Sequence, residues 1–221
     1  IARAIAERAP DLINDPTRTD WEAVIDDGGT VELVPRGLAD PRFSYRVADV
    51  PAASHPTLAA ALARVAFADT AEPAADVIWD PFCGSGLELI ERARLGPARR
   101  LIGSDVAEAA LVAARANLAA VGRSAELIAA DALTFEPGPV TTIITNPPMG
   151  RRVARGAVTD LLAAFVPRAA RLLGPGGRLV WIAPSPRRTD ALAAAAGLRL
   201  HSRHPVDMGG FAAELQLWRR V

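Results

Sequence analysis

From position 77 onward the chain repeats one pattern: a short run of β-branched and aromatic residues, a turn, then a longer Ala- and Leu-rich stretch with apolar residues at helical spacing. Strands are expected at 77–80, 100–104, 125–128, 141–145, 178–183, 198–204 and 211–218, with helices at about 87–95, 108–121, 159–173 and 189–196. Such alternation predicts an α/β fold, a parallel sheet with helices on both faces. Gly122 and Gly174 stand where helices should stop, and the Pro175-Gly176-Gly177 turn launches the next strand. The first fifty residues differ. An opening helix is followed by strands at 21–25 and 30–34 around Asp27-Gly28-Gly29, which reads as a hairpin. Residues 51–56, bounded by prolines, form a stiff joint, and Thr57 can cap a helix running to about residue 67. A small β/α extension or linker over 1–50 and a main domain over 51–221 follow. No internal repeat is evident.

At 221 residues and 23.2 kDa the chain fits one ordinary domain with a short extension. The 25 acidic residues cancel 25 basic ones, so bulk charge draws it neither to nucleic acid nor to membrane. Every basic residue is Arg, which removes lysine Schiff-base chemistry and the Gly-Lys-Ser/Thr phosphate loop. Cys83 is the sole cysteine, ruling out an internal disulfide and suiting a reducing, cytoplasmic setting. The longest uncharged apolar run, 191–198, is far shorter than the ~20 residues that span a bilayer. The chain starts on Ile without a secretory pattern, which leaves a preceding segment open.

Candidate chemistry begins where the first parallel strand ends. Asp80-Pro81-Phe82-Cys83-Gly84-Ser85-Gly86 joins that strand to a helix, and glycines at such a junction let backbone approach a ligand beyond the strands' carboxyl ends. Asp105 ends the next strand some twenty residues later, where a carboxylate can accept both hydroxyls of an adenosine ribose. Asp131 closes the third strand and suits an adenine amino group. Helix capping is the plainer alternative for both acids. Cys83 reads as a small loop residue, since no His is near in sequence to activate it. His55, His201 and His204 lack metal-ligand spacing, and no metal is assigned.

The fourth strand runs into Asn146-Pro147-Pro148-Met149-Gly150. Two prolines hold the backbone extended and remove two N–H donors, leaving carbonyls and the Asn146 amide as a rigid set of acceptors. An exocyclic amine that donates both hydrogens there, one to Asn146 and one to a backbone carbonyl, has its lone pair free to attack an electrophilic methyl group.

With these residues the chain resembles the class I S-adenosylmethionine-dependent methyltransferases, and among them the THUMP-associated RNA guanine-N2 methyltransferases. The resemblance covers about 42–221. It rests on His55-Pro56-Thr57-Leu58-Ala59-Ala60-Ala61-Leu62, on the 80–86 loop with Leu89-Ile90-Glu91, on Gly103-Ser104-Asp105 before a helix ending near Asn117-Leu118, and on 146–150 with Arg152. It implies a Rossmann-like seven-stranded sheet with the last strand antiparallel and S-adenosylmethionine as cofactor. Cofactor binding is implied for Asp80, Pro81, Phe82, Cys83, Gly84, Ser85, Gly86, Asp105, Val106, Asp131, Ala132 and Asn146. Catalysis is implied for Asn146, Pro147, Pro148 and Met149. Two residues depart from the family pattern: Met149 replaces an aromatic that stacks on the extruded base, and Leu87 replaces a Thr. The family's THUMP domain is not evident in residues 1–50, so part of the grip on RNA is expected from a domain outside this chain.

The expected substrate is an exocyclic amine of a nucleobase, guanine N2 in tRNA or rRNA. Adenine N6 and protein glutamine share the Asn-Pro-Pro signature and stay open, as does a non-catalytic protein that binds RNA or a partner. Arg151, Arg152 and Arg155, with Arg187 and Arg188, are expected on the rim of the crevice, where guanidinium groups can hold phosphates; Arg151 and Arg152 are the substrate-binding candidates.

Overall fold

The computed structural model describes residues 7–11, 15, 17–36, 43–51, 53–68, 70–149, 155–184, 186–208 and 212–221. The chain divides into two compact units, 1–44 and 45–221. In the first, β1 (Trp21–Ile25) and β2 (Val31–Pro35) pair antiparallel, Ile25 opposite Val31. Asp26 closes the turn: its carboxylate accepts the Thr30 N–H at 2.8 Å and its carbonyl the Gly29 N–H at 3.0 Å. The expected opening helix falls mostly outside the described residues.

The second unit starts at Tyr45, six residues ahead of the joint that follows residue 50, because this segment is bonded into it. Tyr45 Oη donates to Glu91 Oε1 at 2.6 Å. Asn117 pairs with Ala48 twice, accepting its N–H at 2.9 Å and donating to its carbonyl at 2.8 Å. Then follow α1 (Pro56–Ala68), β3 (Val77–Asp80), α2 (Leu87–Leu95), β4 (Arg100–Asp105), α3 (Glu108–Ala120), β5 (Glu126–Ala129), β6 (Val140–Thr145), α4 (Arg155–Leu172), β7 (Leu173–Ala183), α5 (Pro186–Ala195), β8 (Leu198–Asp207) and β9 (Ala212–Arg220).

Seven strands order as β5-β4-β3-β6-β7-β9-β8. The first five are mutually parallel, and β9 runs antiparallel between β7 and β8. This is the expected sheet. Successive residues point to opposite faces: Ile78, Ile144 and Val180 enter one core, Trp79, Ile143 and Trp181 the other. Burial on both faces explains why these strands read as continuous apolar runs. The indole N–H of Trp79 donates to Ser104 Oγ at 3.1 Å, while Gln216 Oε1 accepts from both Trp181 and Trp218 at 3.2 and 2.8 Å.

Beyond shifts of a few residues at element ends, two details differ from the sequence reading. The stretch 174–177, expected as a helix stop and turn, lies inside β7. Pairing with β6 jumps from Val140↔Leu173 to Thr142↔Arg178, so the extra residues loop out as a bulge, with Gly176 at φ +74°. And α1 begins at Pro56, not Thr57: a proline in the first turn gives up an N–H that would have no helical partner. The His55 carbonyl accepts the Leu58 and Ala59 N–H groups at 2.9 and 3.1 Å. His55 Nδ1 also stands 2.7 Å from Thr57 Oγ1. His55 therefore caps this helix.

Candidate active site

The carboxyl ends of β3, β4, β5 and β6 open onto a cavity of about 640 Å³. Of the residues singled out in the sequence, Pro81 to Ser85, Asp105, Val106, Asp131, Ala132 and Asn146 to Met149 line it. Asp80 and Gly86 stand behind the lining. Gly86, at φ +80°, faces α3, where an added Cβ would lie 3.1 Å from that of Ala114; its missing side chain serves loop-to-helix packing. Gly84, at φ +50°, does border the cavity, and a Cβ there would meet no protein atom within 4 Å. Arg151 and Arg152 lie outside the described residues, as does the side chain of Arg155. Arg187 and Arg188 are exposed at the start of α5 and do not line the cavity.

Asp105 is held by backbone. Its Oδ2 accepts the Gly84 N–H at 3.0 Å and its Oδ1 the Ala107 N–H at 2.9 Å. Each oxygen keeps a lone pair. Beside it Val106 is 76% exposed, a large apolar side chain held open to solvent on the cavity wall. Asp131 Oδ1 accepts the Leu133 N–H at 2.8 Å and so closes a turn, where the plainer alternative was a helix cap.

Beneath the lining, Asp80 Oδ1 accepts from Thr145 Oγ1 at 2.8 Å and from the Phe82 N–H at 3.2 Å, tying the ends of β3 and β6 together. Its Oδ2 is buried without a partner among the described residues. Burial first, and then the Glu88 charge, push the Asp80 carboxyl well above the ordinary carboxylate range. Burial also raises Glu88, against a Ser54 hydrogen bond that lowers it. Burial pushes the Cys83 thiol far up as well, so it stays protonated, and the residue is 2% exposed. A nucleophilic role for Cys83 is excluded on both counts.

Asn146 follows β6. Its Nδ2 donates to Ser54 Oγ at 2.9 Å, while Oδ1 is buried with no protein partner among the described residues. An acceptor left in this state at a cavity wall calls for a ligand donor, because an unsatisfied buried carbonyl costs about 1–3 kcal/mol. The arrangement fits an adenosyl-type cofactor on one side: a carboxylate with spare lone pairs, an open glycine backbone and an apolar flank. It fits a planar, hydrogen-donating acceptor on the other. Among the described residues, no group of three or more His, Cys, Asp or Glu side chains could hold a metal ion. No helix among them is long and apolar enough to cross a membrane.

Sequence reasoning passed over several lining residues, Ser54 from the joint, Glu88, Leu161 and Met208, and gave His55 no place in the cavity. Glu88 had a signal, an acid flanked by Leu87, Leu89 and Ile90 in an otherwise apolar helix start. Met208, just past β8, had none.

A family model described as UPF0020, RMKL-like methyltransferase domain, matches residues 44–213. Ribosomal RNA small subunit methyltransferase C of Pseudomonas aeruginosa (strain LESB58) is 38% identical over 105 residues, 47% of this chain and 30% of that protein. The 4-amino-L-phenylalanine/4-methylamino-L-phenylalanine methyltransferase of Streptomyces pristinaespiralis is 32% identical over 127 residues, 48% of this chain and 43% of its own. The chain thus spans less than half the length of these relatives. Among solved structures, TrmN from Thermus thermophilus superposes with a TM-score of 0.73 at 27% identity, covering 100% of this chain and 65% of that one. Magnesium protoporphyrin IX methyltransferase from Synechocystis PCC 6803 with bound SAH shares the fold, with a TM-score of 0.62 at 15% identity, covering 76% of this chain and 83% of that one.

Proposed function

We propose, from the premise that the chain belongs to the RMKL-like methyltransferase domain family (UPF0020), that its cavity carries out S-adenosylmethionine-dependent N-methylation of an exocyclic amine on a nucleobase, guanine N2 of tRNA or rRNA. The observation that carries this reading is Asn146 Oδ1, buried, without a partner among the described residues and set beside two prolines at the cavity wall. When bound, S-adenosylmethionine supplies an electrophilic methyl group on a sulfonium.

The rest falls to the chain. Asp105, braced by two backbone N–H groups, accepts hydroxyl donors, and Val106 gives an apolar face to a ring. Asn146 Oδ1 accepts one hydrogen of the substrate amine and the Pro147 carbonyl the other, so the amine lone pair points along one line. Holding two reactants in attack geometry supplies up to ~7–11 kcal/mol of a barrier, and no strong base is needed at the attack step. The acceptor base leaves its stack to reach this wall. Met149, from the lining, offers a thioether rather than an aromatic face, a weaker and less directional contact with a ring.

The names of the two curated relatives join ribosomal RNA and an amino group on an aromatic ring, which supports an amine borne by a flat ring. RNA is the proposed partner, part of its grip coming from a domain outside these residues, in a cytoplasmic setting. Transfer of tritiated methyl groups to total RNA, DNA, protein and free 4-aminophenylalanine, followed by nucleoside analysis, tests the proposal. It expects label in N2-methylguanosine. Label in N6-methyladenosine, glutamine or the free amino acid refutes the substrate class. Absence of heat on titrating S-adenosylmethionine in calorimetry would mark a non-catalytic protein.

A further inference from the structure

Behind Asn146 the cavity wall continues into two side chains from distant parts of the chain. Asn146 Nδ2 donates to Ser54 Oγ at 2.9 Å, and Ser54 Oγ donates in turn to Glu88 Oε1. Ser54 stands in the joint before α1, Glu88 is the second residue of α2, and Asn146 follows β6. All three border the cavity. Glu88 is only 3% exposed, among buried Leu87, Leu89 and Ile90. A carboxylate placed there costs desolvation that an apolar residue would not, and packing alone gives no reason for it.

The reason lies in the direction of the hydrogen bonds. A hydroxyl carries one hydrogen and two lone pairs, and an ionised carboxylate can only accept. With its hydrogen given to Glu88, Ser54 shows Asn146 nothing but lone pairs. The carboxamide must then turn its NH2 toward Ser54 and its Oδ1 away from it, as observed. Were the Ser54 hydrogen uncommitted, it would pair equally well with Oδ1. The flipped carboxamide would present donors to an incoming amine that is itself a donor. Asp80 and Glu88 are neighbours, and the Glu88 charge is among the causes that raise Asp80. Glu88 also sits in the first turn of α2, where the helix dipole favours an anion.

We propose that Ser54 and Glu88 are positioning residues that set the polarity of the Asn146 carboxamide, Glu88 acting through Ser54; this rests on the reading of Asn146 as the acceptor for the substrate amine. In ligand-free, ¹⁵N-labelled protein, the Asn146 side-chain amide, identified by its loss in Asn146→Ala, should be resolved and slow to exchange with water. Ser54→Ala and Glu88→Leu should each speed that exchange about tenfold, the loss expected for one hydrogen bond to a charged chain, with Ser54→Thr restoring it. Methyl transfer to total RNA should fall about tenfold in kcat in each, the double variant no worse than either single one, as expected for residues acting in series. Affinity for S-adenosylhomocysteine should be unchanged, and Glu88→Leu should melt no lower than wild type, which separates positioning from a structural role. Unchanged amide exchange in both variants, or additive losses in the double variant, would overturn the proposal. Full turnover by Asn146→Ala with the exchange pattern as expected would instead remove Asn146's role in the chemistry and leave the hydrogen-bond polarity standing.

Discussion

Asp76→Asn removes a single charge on which two buried guanidinium groups depend. Arg178 Nη2 stands 2.6 Å from Asp76 Oδ1, and Arg92 Nη2 stands 3.1 Å from Oδ2. Arg92 is 0% and Arg178 5% exposed. Thr141 Oγ1 and Thr70 Oγ1 donate to the same carboxylate at 2.8 and 3.1 Å. At an effective dielectric constant of ~20, each ion contact is worth about 5–6 kcal/mol before desolvation. The desolvation that Asn no longer requires offsets much of this, leaving about 3–5 kcal/mol, the usual cost of stripping one partner from a buried pair. For a protein of this size that corresponds to a melting point lower by roughly 6–20 °C in differential scanning calorimetry. The cavity should survive. Asp76 lies at the opposite end of β3 from Pro81, about 16 Å away for five residue steps along the strand. Below the transition, affinity for S-adenosylhomocysteine should therefore match wild type. Glu108→Gln is the control, because its pair with Arg115 at 3.2 Å is exposed and worth under ~1 kcal/mol. A fall no larger than the control's would refute the reasoning, and lost cofactor affinity in the folded variant would refute the separation of the two ends.

Asp105→Ala should weaken S-adenosylhomocysteine binding about 30-fold by calorimetry, roughly 2 kcal/mol for lost charge-assisted hydrogen bonds; an unchanged Kd would remove Asp105 from the cofactor site. Asp80 makes a pH prediction. Its carboxyl is raised by burial and by Glu88, so the folded protein keeps a proton that the unfolded chain releases above about pH 4. Its contribution to stability is complete below that point and is lost as pH rises toward the folded value. The neutral isostere Asp80→Asn should consequently lose less melting temperature than wild type between about pH 4 and pH 8. Parallel curves would show that Asp80 is ionised in the folded protein.

The sheet was legible because its strands are buried on both faces and its loops carry glycine and proline, so period and punctuation agree; β3 and α2 coincide with their expected spans. The bulge at 174–177 was not, since a Gly-Pro-Gly-Gly run reads the same whether it ends a strand or loops out of one. The cavity floor was legible wherever it follows a strand's carboxyl end, as at Asp105 and Asn146. The opposite wall was not. Ser54 and His55 reach the cavity through the fold of the 45–55 segment, held by Asn117 and Glu91, and such long-range pairing leaves no local pattern. Glu88 illustrates the limit: the sequence showed an acid out of place, and only its contact with Ser54 explains it.

Asn146→Ala tests the central claim most directly, with donor affinity and methyl transfer measured on the same preparation. The account predicts a loss of at least ~10²-fold in kcat, the scale for removing one oriented hydrogen-bonding group at a reacting centre, together with near-normal binding of S-adenosylhomocysteine. Near-normal turnover would contradict it.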